Sequence, residues 1–203
     1  MDIMQEVRHV FEVEANAIHA LSTRLDERFQ HVLEMILACK GRIIFFGVGK
    51  SGRIGSKVAA TMASVGIPAF FIHAGESHHG DIGSITCDDV VIAISYGGES
   101  DEILRMLPVI KRIGAPLVAI TGKPDSTLGR SVDVVLDIGP DVGEGMAGWT
   151  HLSSIAASMA MGDALAIAAA IARGFTKEDF ALHHPGGSYG KELQMEREGM
   201  NAE

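Results

Sequence analysis

Residues 42–55 read RIIFFGVGKSGRIG, an apolar run that stops abruptly in glycines around a single lysine. The Ile and Phe residues suit a buried strand, and the glycines permit a tight turn in which the backbone approaches a ligand closely. The segment from Ser51 to Val65 has helical composition, so its first N–H groups would face the turn, where anions are favoured and Lys50 adds a positive charge. The stretch therefore predicts a strand, an anion-binding loop and a helix, with phosphate as the natural ligand.

Spacing distinguishes two nucleotide-binding motifs at this loop. A P-loop requires a glycine five residues before its Gly-Lys-Ser, and that position is Ile44. The dinucleotide fingerprint GxGxxG is satisfied by Gly47, Gly49 and Gly52, and Glu76 follows 24 residues later, near where a ribose-binding acid is expected. The spacing argues against a P-loop and leaves dinucleotide binding open.

The length and composition are those of one well-packed α/β domain. The chain has 203 residues, of which 47% are hydrophobic, enough for a substantial core. Lys plus Arg number 17 against 26 Asp plus Glu, and the formal charge of −9 gives no general attraction to nucleic acid or to an anionic membrane. An anionic substrate must therefore be captured locally.

The sequence signals of compartment favour a cytoplasmic protein. The two cysteines, Cys39 and Cys87, are far apart in sequence, which favours reduced thiols over a disulfide framework or a thiolate metal site. The N-terminus begins with charged, helix-favouring residues rather than a signal region, and the apolar run at 164–172 is too short to span a membrane. We therefore expect no membrane association.

Four further apolar segments follow the first strand, separated by polar loops that contain glycine. Strands are predicted at 68–73, 89–94, 116–120 and 133–138, and they alternate with helical segments, one from about 103 and an alanine-rich one from about 155 to 172. This alternation predicts an α/β fold with a doubly wound, five-stranded parallel sheet flanked by helices. Ligands of such sheets bind outside the carboxyl ends of the strands, where the polar loops must meet.

Residues 1–40 have the apolar periodicity of one long or two consecutive amphipathic helices. Such an arm packs either on a partner subunit or along its own domain, and the pattern alone leaves both open. We predict a helical arm at 1–40 belonging to the same domain, an α/β domain at 41–193 and a mobile tail at 194–203.

Six polar segments carry a family resemblance. They read GVGKSG at 47–52, ESHHGDIG at 76–83, SYGGESDE at 95–102, TGKPDS at 121–126, MGDALA at 161–166 and HPGGSYG at 184–190. Together they resemble the SIS (sugar isomerase) domain, and specifically the arabinose-5-phosphate isomerase family in a short form without CBS domains. The resemblance implies interconversion of D-ribulose 5-phosphate and D-arabinose 5-phosphate for lipopolysaccharide synthesis, with no cofactor, in a homotetramer whose sites lie at subunit interfaces.

The implied chemistry accounts for the residue types in these segments. Aldose–ketose isomerisation needs a base that moves a proton between C1 and C2 through an enediol, and donors that stabilise the developing charge. By resemblance, Lys50 contacts the substrate, Glu102 and an acid near position 143 are catalytic carboxylates, and His184, with His79, opens the sugar ring or moves protons.

Four departures from the family pattern affect this assignment, and one of them is Leu-Ser-Ser-Ile at 152–155 in place of the Thr-Ser-Ser-Thr phosphate-binding segment of relatives. Gly143 occupies the position of the second glutamate, so Glu144 is our candidate for that role. The pair Gly97 and Gly98 stands where relatives have Ser-Gly, and His151 replaces a proline as an additional titratable group. Other donors still predict a sugar-phosphate site, and our candidates are Gly49, Ser51, Ser95, Ser100, Ser153 and Ser154.

Alternative functions remain open from the sequence. A non-catalytic sugar-phosphate sensor would bind without turnover, an isomerase could act on a different sugar phosphate, and a dinucleotide-binding oxidoreductase would bind NAD or NADP. The histidine pairs at 78–79 and 183–184 invite a metal hypothesis, but adjacent histidines usually point apart and their ligand spacing is not fixed. We therefore predict no metal.

Overall fold

The computed structural model describes residues 2–142, 145–186, 190 and 195. Five strands form one parallel sheet in the order β2-β1-β3-β4-β5. The strands are β1 (Ile43–Gly47), β2 (Ala69–His73), β3 (Val90–Ile94), β4 (Leu117–Thr121) and β5 (Val134–Asp137). The predicted five-stranded, doubly wound parallel sheet is confirmed.

Helices precede, connect and follow the strands. The N-terminal arm forms two helices rather than one, α1 (Ile3–Leu21) and α2 (Glu27–Ala38). The later helices in the described part of the chain are α3 (Gly49–Ser64), α4 (Ala74–Ser77), α5 (Asp101–Leu104), α6 (Leu107–Ile113), α7 (Gly145–Trp149), α8 (Leu152–Ala172) and α9 (Lys177–His183). The single helix predicted from about 103 is split into α5 and α6, and Pro108 lies in the first turn of α6, where a missing N–H is tolerated.

The three central strands are buried on both faces, which is why their sequences are continuously apolar rather than alternating. Neighbouring side chains enter opposite halves of the core: Phe45 packs with residues of α1, α2, α3 and α8, whereas Phe46 packs with residues of α4, α5 and α6. Both phenylalanines have no exposed surface. The sheet therefore has a helical layer on each side, and its carboxyl edge is left for the loops.

Helix α8 is the central helix of the larger layer. It packs on α1 and α3, and it buries small residues along much of its length. Among the described helices it is the one long and apolar enough to cross a membrane by length and composition, and half of its apolar window is buried inside the structure. Its contacts with α1 and α3 account for this composition as that of a core helix.

The helical arm packs along its own domain through one face. Val13, Ala17 and Leu21 of α1 are buried, and Arg24, just after α1, forms an ion pair of 2.9 Å with Asp137 at the end of β5. The opposite face of α1 has exposed apolar side chains, among them Phe11 at 67% exposure. The arm thus contacts its own domain, which is one of the two arrangements that the sequence left open.

Candidate active site

The carboxyl ends of β1 and β3 lie where the order in which the chain adds strands to the sheet reverses. From β1 the chain crosses to β2 on one side and then to β3 on the other, so the loops after β1 and β3 diverge and leave a crevice between them. Crevices of this kind are the ligand sites of open α/β sheets. The sheet order is that of flavodoxin-like folds rather than the 3-2-1-4-5-6 order of dinucleotide-binding domains.

Two of the three glycines of the fingerprint GxGxxG, Gly47 and Gly52, have a packing role at this crevice, whereas no atom of the described residues would lie within 4 Å of a Cβ on Gly49. A Cβ on Gly47 would lie 3.2 Å from the main-chain N of Gly52, and a Cβ on Gly52 would lie 3.0 Å from the ring of Phe71. Close approach of β1, α3 and β2 therefore explains both glycines without a bound dinucleotide. Together with the strand order, this packing removes the support that the fingerprint gave to an oxidoreductase.

Lys50 lies in the first turn of α3, at the mouth of the crevice. Its side chain is exposed, and its Nζ donates a hydrogen bond of 2.6 Å to the main-chain carbonyl oxygen of Thr150. No side chain caps the N-terminus of α3 at Val48, so the first N–H groups of the helix, which include those of Gly49 and Ser51, remain available to an anion. Anion binding at this loop stays a prediction, and the uncapped helix N-terminus and the nearby Lys50 support it.

The loop after β3 supplies hydroxyl groups on the other side of the crevice. Ser95 is buried, its Oγ lies 3.2 Å from the Oγ of Ser100, and it accepts a hydrogen bond of 3.2 Å from the N–H of Gly98. Glu99 joins this loop to the next one by accepting a 2.7 Å hydrogen bond from the N–H of Thr127, which lowers the pKa of the Glu99 carboxyl. The structure thus brings Ser95 and Ser100 together.

The other predicted catalytic residues differ in their placement. Glu102 is exposed in the first turn of α5, directly after the Ser95–Ser100 loop. His79 is exposed in the turn after α4, which follows β2 at the same edge of the sheet. Glu144 lies outside the described residues. Glu102 and His79 therefore share the carboxyl edge with Lys50, and their catalytic roles stay predictions.

Asp141 organises the start of α8. Its carboxylate accepts hydrogen bonds from the hydroxyl of Ser153 and, at 3.2 Å, from the N–H of Ser154. The Ser154 hydroxyl donates to the carbonyl oxygen of His151 at 3.0 Å. Both serines are buried, and both hydroxyls are engaged within the chain, so a phosphate at this position would have to compete with Asp141.

His151 joins Asp141 to the crevice. The Nδ1 of His151 is hydrogen-bonded to the Asp141 carboxylate, and the imidazole lies 6.1 Å from the ring of Tyr96, which belongs to the loop after β3. The Tyr96 hydroxyl accepts a hydrogen bond of 2.7 Å from the N–H of Asp141. Sequence reasoning marked His151 only as an additional titratable group and did not mark Asp141 or Tyr96, because no fixed spacing links the three.

His184 follows α9 beside the C-terminal end of α3, whereas Lys50 lies in the first turn of that helix. Its Nδ1 is 2.9 Å from the carbonyl oxygen of Phe180, and its ring stacks on the Phe180 ring at 3.8 Å. The preceding His183 reaches the carbonyl oxygen of Ser64, the last residue of α3. The 14 residues from Lys50 to Ser64 rise about 21 Å at roughly 1.5 Å per residue. Within one chain, the structure does not bring His184 and Lys50 together.

Two cavities lie away from the crevice. One, of about 600 Å³, is beside the edge strand β5 and is lined in part by His31. The other, of about 350 Å³, is lined by both cysteines, so Cys39 and Cys87 share a cavity despite their separation in sequence. Both thiols are free, and burial raises the pKa of Cys39. Across residues 2–142, 145–186, 190 and 195, no three His, Cys, Asp or Glu side chains form a group that could hold a metal ion.

Comparison with protein families identifies the class of this domain. A family model described as "SIS domain" matches residues 36–168. The chain therefore belongs to the SIS domain family, as its sequence segments predict.

Individual relatives show which members of the family this chain is similar to. The chain is 46% identical over 194 residues to the arabinose 5-phosphate isomerase KdsD of Escherichia coli K12, covering 96% of this chain and 59% of the relative. It is 43% identical over 198 residues to the protein of the same name from Pseudomonas aeruginosa PAO1, covering 98% and 61%. The chain thus spans about three fifths of the length of these curated relatives.

A solved structure shares the fold over most of the chain. An Escherichia coli CFT073 protein in complex with arabinose 5-phosphate superimposes with a TM-score of 0.86 at 37% identity, covering 91% of this chain and 98% of that one. The family resemblance and the fold are confirmed, and the likeness extends to a protein whose structure holds a sugar phosphate.

Proposed function

We propose that this chain is an aldose–ketose isomerase that interconverts D-ribulose 5-phosphate and D-arabinose 5-phosphate through an enediol. The observation that carries the proposal is the 46% identity over 96% of the chain to the arabinose 5-phosphate isomerase KdsD. The structural likeness to a protein in complex with arabinose 5-phosphate supports the same substrate. The product would feed lipopolysaccharide synthesis in the cytoplasm.

The crevice geometry suits this chemistry. The hydroxyls of Ser95 and Ser100 offer donors for a phosphate, while Lys50, in the first turn of α3, offers a cation for oxygen charge that develops at the other end of the sugar. Glu102 stands at the same edge as a carboxylate for proton transfer. These groups supply binding, charge stabilisation and acid–base chemistry without requiring a redox cofactor.

The position of His184 favours an oligomeric enzyme. About 21 Å of α3 separates this histidine from Lys50 within one chain, so the two can meet only if His184 comes from a neighbouring copy. The exposed apolar face of α1, which includes Ile3 and Phe11, offers a surface for such a contact. We therefore propose a homotetramer with sites shared between subunits.

Isotope exchange tests the isomerase function directly. The protein is incubated with D-arabinose 5-phosphate in deuterated water, and incorporation at C2 is followed by NMR. An enediol intermediate predicts exchange and the appearance of D-ribulose 5-phosphate, with no added cofactor. Binding of several pentose and hexose phosphates without exchange would instead establish a sugar-phosphate sensor, since a sensor has no need to form the enediol.

A further inference from the structure

The largely buried carboxylate of Asp141 holds His151 in one orientation. The Asp141 side chain is 9% exposed and accepts hydrogen bonds from the Ser153 hydroxyl and the Ser154 N–H in addition to its bond with the His151 Nδ1. A carboxylate fixed by so many partners is a stable acceptor. With Nδ1–H donated to Asp141, a neutral imidazole carries its lone pair on Nε2.

His151 combines an unusual backbone conformation with an exposed side chain. His151 has φ 57° and ψ 42°, and among the residues that the structure describes it is the one non-glycine residue with a positive φ. Strained positions of this kind cluster at functional sites because the surrounding structure must hold them. Nδ1 is bonded to Asp141 and the side chain is 58% exposed, so the part of the ring that does not contact Asp141, which includes Nε2, is the part available to a ligand.

The surroundings of His151 are those of the proposed substrate site. The residue before it, Thr150, accepts the 2.6 Å hydrogen bond from Lys50, and the ring lies 6.1 Å from that of Tyr96 in the loop after β3. His151 thus lies beside the two loops that border the crevice. Through its two ring nitrogens, the imidazole of His151 offers both an acceptor and a donor of protons at this point.

We propose, on the basis of the isomerase function proposed above, that His151 is a catalytic acid–base residue whose Nε2 moves the proton between C2 and C1 of the open-chain sugar. Asp141 is a positioning residue that fixes the tautomer and orientation of the ring. The arrangement follows the principle by which a carboxylate orients a histidine base in hydrolases, here applied to carbon acid chemistry.

The proton and electron movements balance within the site. Nε2 of His151 removes the proton from C2 of the aldose, the C2–H electron pair forms the C1–C2 double bond, and O1 takes a proton from the Lys50 ammonium to give the enediol. In the second step the O2 proton returns to the Lys50 amine, the C2–O double bond forms, and C1 takes the proton from the Nε2 of His151. Both residues are regenerated, and no oxidant or reductant is consumed.

Two variants separate acid–base chemistry from structural support. Asn and Gly both tolerate the left-handed backbone at this position, so His151→Asn and His151→Gly should fold. We expect kcat for D-arabinose 5-phosphate to fall about 10²-fold or more in both, with a much smaller change in KM. Added imidazole should restore part of kcat in His151→Gly, where the side-chain space is open, and not in His151→Asn, where it is filled.

A control variant and the wild-type protein distinguish failure of the His151 role from failure of the isomerase function. His31→Asn removes an exposed histidine on α2 and should keep wild-type kcat. If wild-type protein catalyses exchange and either His151 variant retains full kcat, or if imidazole fails to restore His151→Gly, the acid–base role of His151 is wrong and the isomerase function stands. If the wild-type protein itself gives no exchange, the isomerase function fails, and the role of His151 with it.

Asp141 gives an independent measure of the positioning effect. Asp141→Asn keeps the shape of the side chain but replaces one carboxylate oxygen by an N–H donor, so it can no longer hold the same tautomer of His151. We expect kcat to fall while KM changes little. If Asp141→Asn lowers the melting temperature and leaves kcat unchanged, Asp141 only caps the start of α8 and does not position His151.

Discussion

The Nζ of Lys50 donates a 2.6 Å hydrogen bond to the main-chain carbonyl oxygen of Thr150. This contact joins the first turn of α3 to the segment just before α8, two places 100 residues apart in the chain. The acceptor is uncharged, so it orients the ammonium without neutralising it. An anionic ligand can therefore bind the charged ammonium of Lys50 in exchange for one exposed hydrogen bond to a carbonyl oxygen.

The first prediction concerns the charge of Lys50. Lys50→Met keeps most of the side-chain length but removes the cation, and we expect kcat/KM for D-arabinose 5-phosphate to fall about 10²- to 10³-fold, since a donor to developing oxygen charge is lost. The melting temperature should change little because the side chain is exposed. Lys111→Met on α6 is the control for losing an exposed lysine. Wild-type kinetics in Lys50→Met would exclude Lys50 from the chemistry.

The second prediction concerns a site shared between copies of the chain. Lys50→Met and His184→Ala should each be strongly impaired alone, and mixing the two after mild dissociation should restore part of the wild-type activity. If each site takes Lys50 from one copy and His184 from another, random reassembly makes about a quarter of the sites intact. Enzyme assays of the mixture against each single variant give the result. Absence of any recovery, with exchange of subunits verified by mass, would contradict a shared site.

The sequence predicted the fold well because the fold depends on local patterns. Continuous apolar runs in the central strands follow directly from burial on both faces, and Gly47 at the end of β1 follows from close packing against α3. The division of the helix near Ile103 was missed, although Pro108 was visible, because proline is compatible with both a first turn and a kink.

The candidate site could be predicted only in part. Lys50, Ser95 and Ser100 lie just after strands of one parallel sheet, so their common location at its carboxyl edge followed from the topology. The pairing of Asp141 with His151 could not be predicted, because it depends on the path of the segment before α8 and on one residue with a positive φ. The separation of His184 from Lys50 likewise depends on the packing of α9 against the C-terminal end of α3.

The third prediction tests the close packing of α3 against α8. A Cβ on Gly162 would lie 2.6 Å from a methyl carbon of Val58, closer than two such atoms can approach. Gly162→Ala should therefore lower the free energy of unfolding by about 1–3 kcal/mol, despite the better helix propensity of alanine. Gly83→Ala is the control, because no atom lies within 4 Å of its added Cβ. Urea denaturation of both variants gives the comparison, and equal stability of the two would contradict tight packing between these helices.

The last prediction concerns a carboxylate far from the crevice. Asp89 precedes β3 and is 1% exposed; its oxygens accept hydrogen bonds of 2.7 Å from the N–H groups of Arg42 and Thr86. Burial raises the pKa of Asp89, but the N–H groups of Thr86 and Arg42 outweigh it, and the net shift is downward. A lowered pKa in the folded state means that ionised Asp89 stabilises the fold at pH values above its unfolded pKa, and that this contribution is lost as the pH falls through the folded pKa.

Asp89→Asn should therefore lower the free energy of unfolding at pH 7 by about 1–3 kcal/mol, because a buried acceptor is replaced by a group that cannot accept from all the same donors. The difference between wild type and variant should shrink as the pH falls below about 4, where the wild-type carboxyl becomes protonated in the unfolded and then in the folded state. Urea denaturation from pH 7 to pH 3, at fixed protein concentration, measures both quantities. Asp88→Asn, at the exposed neighbouring position, is the control and should show neither effect. A constant difference over this pH range would mean that packing, rather than the charge of Asp89, joins the segments before β1 and β3.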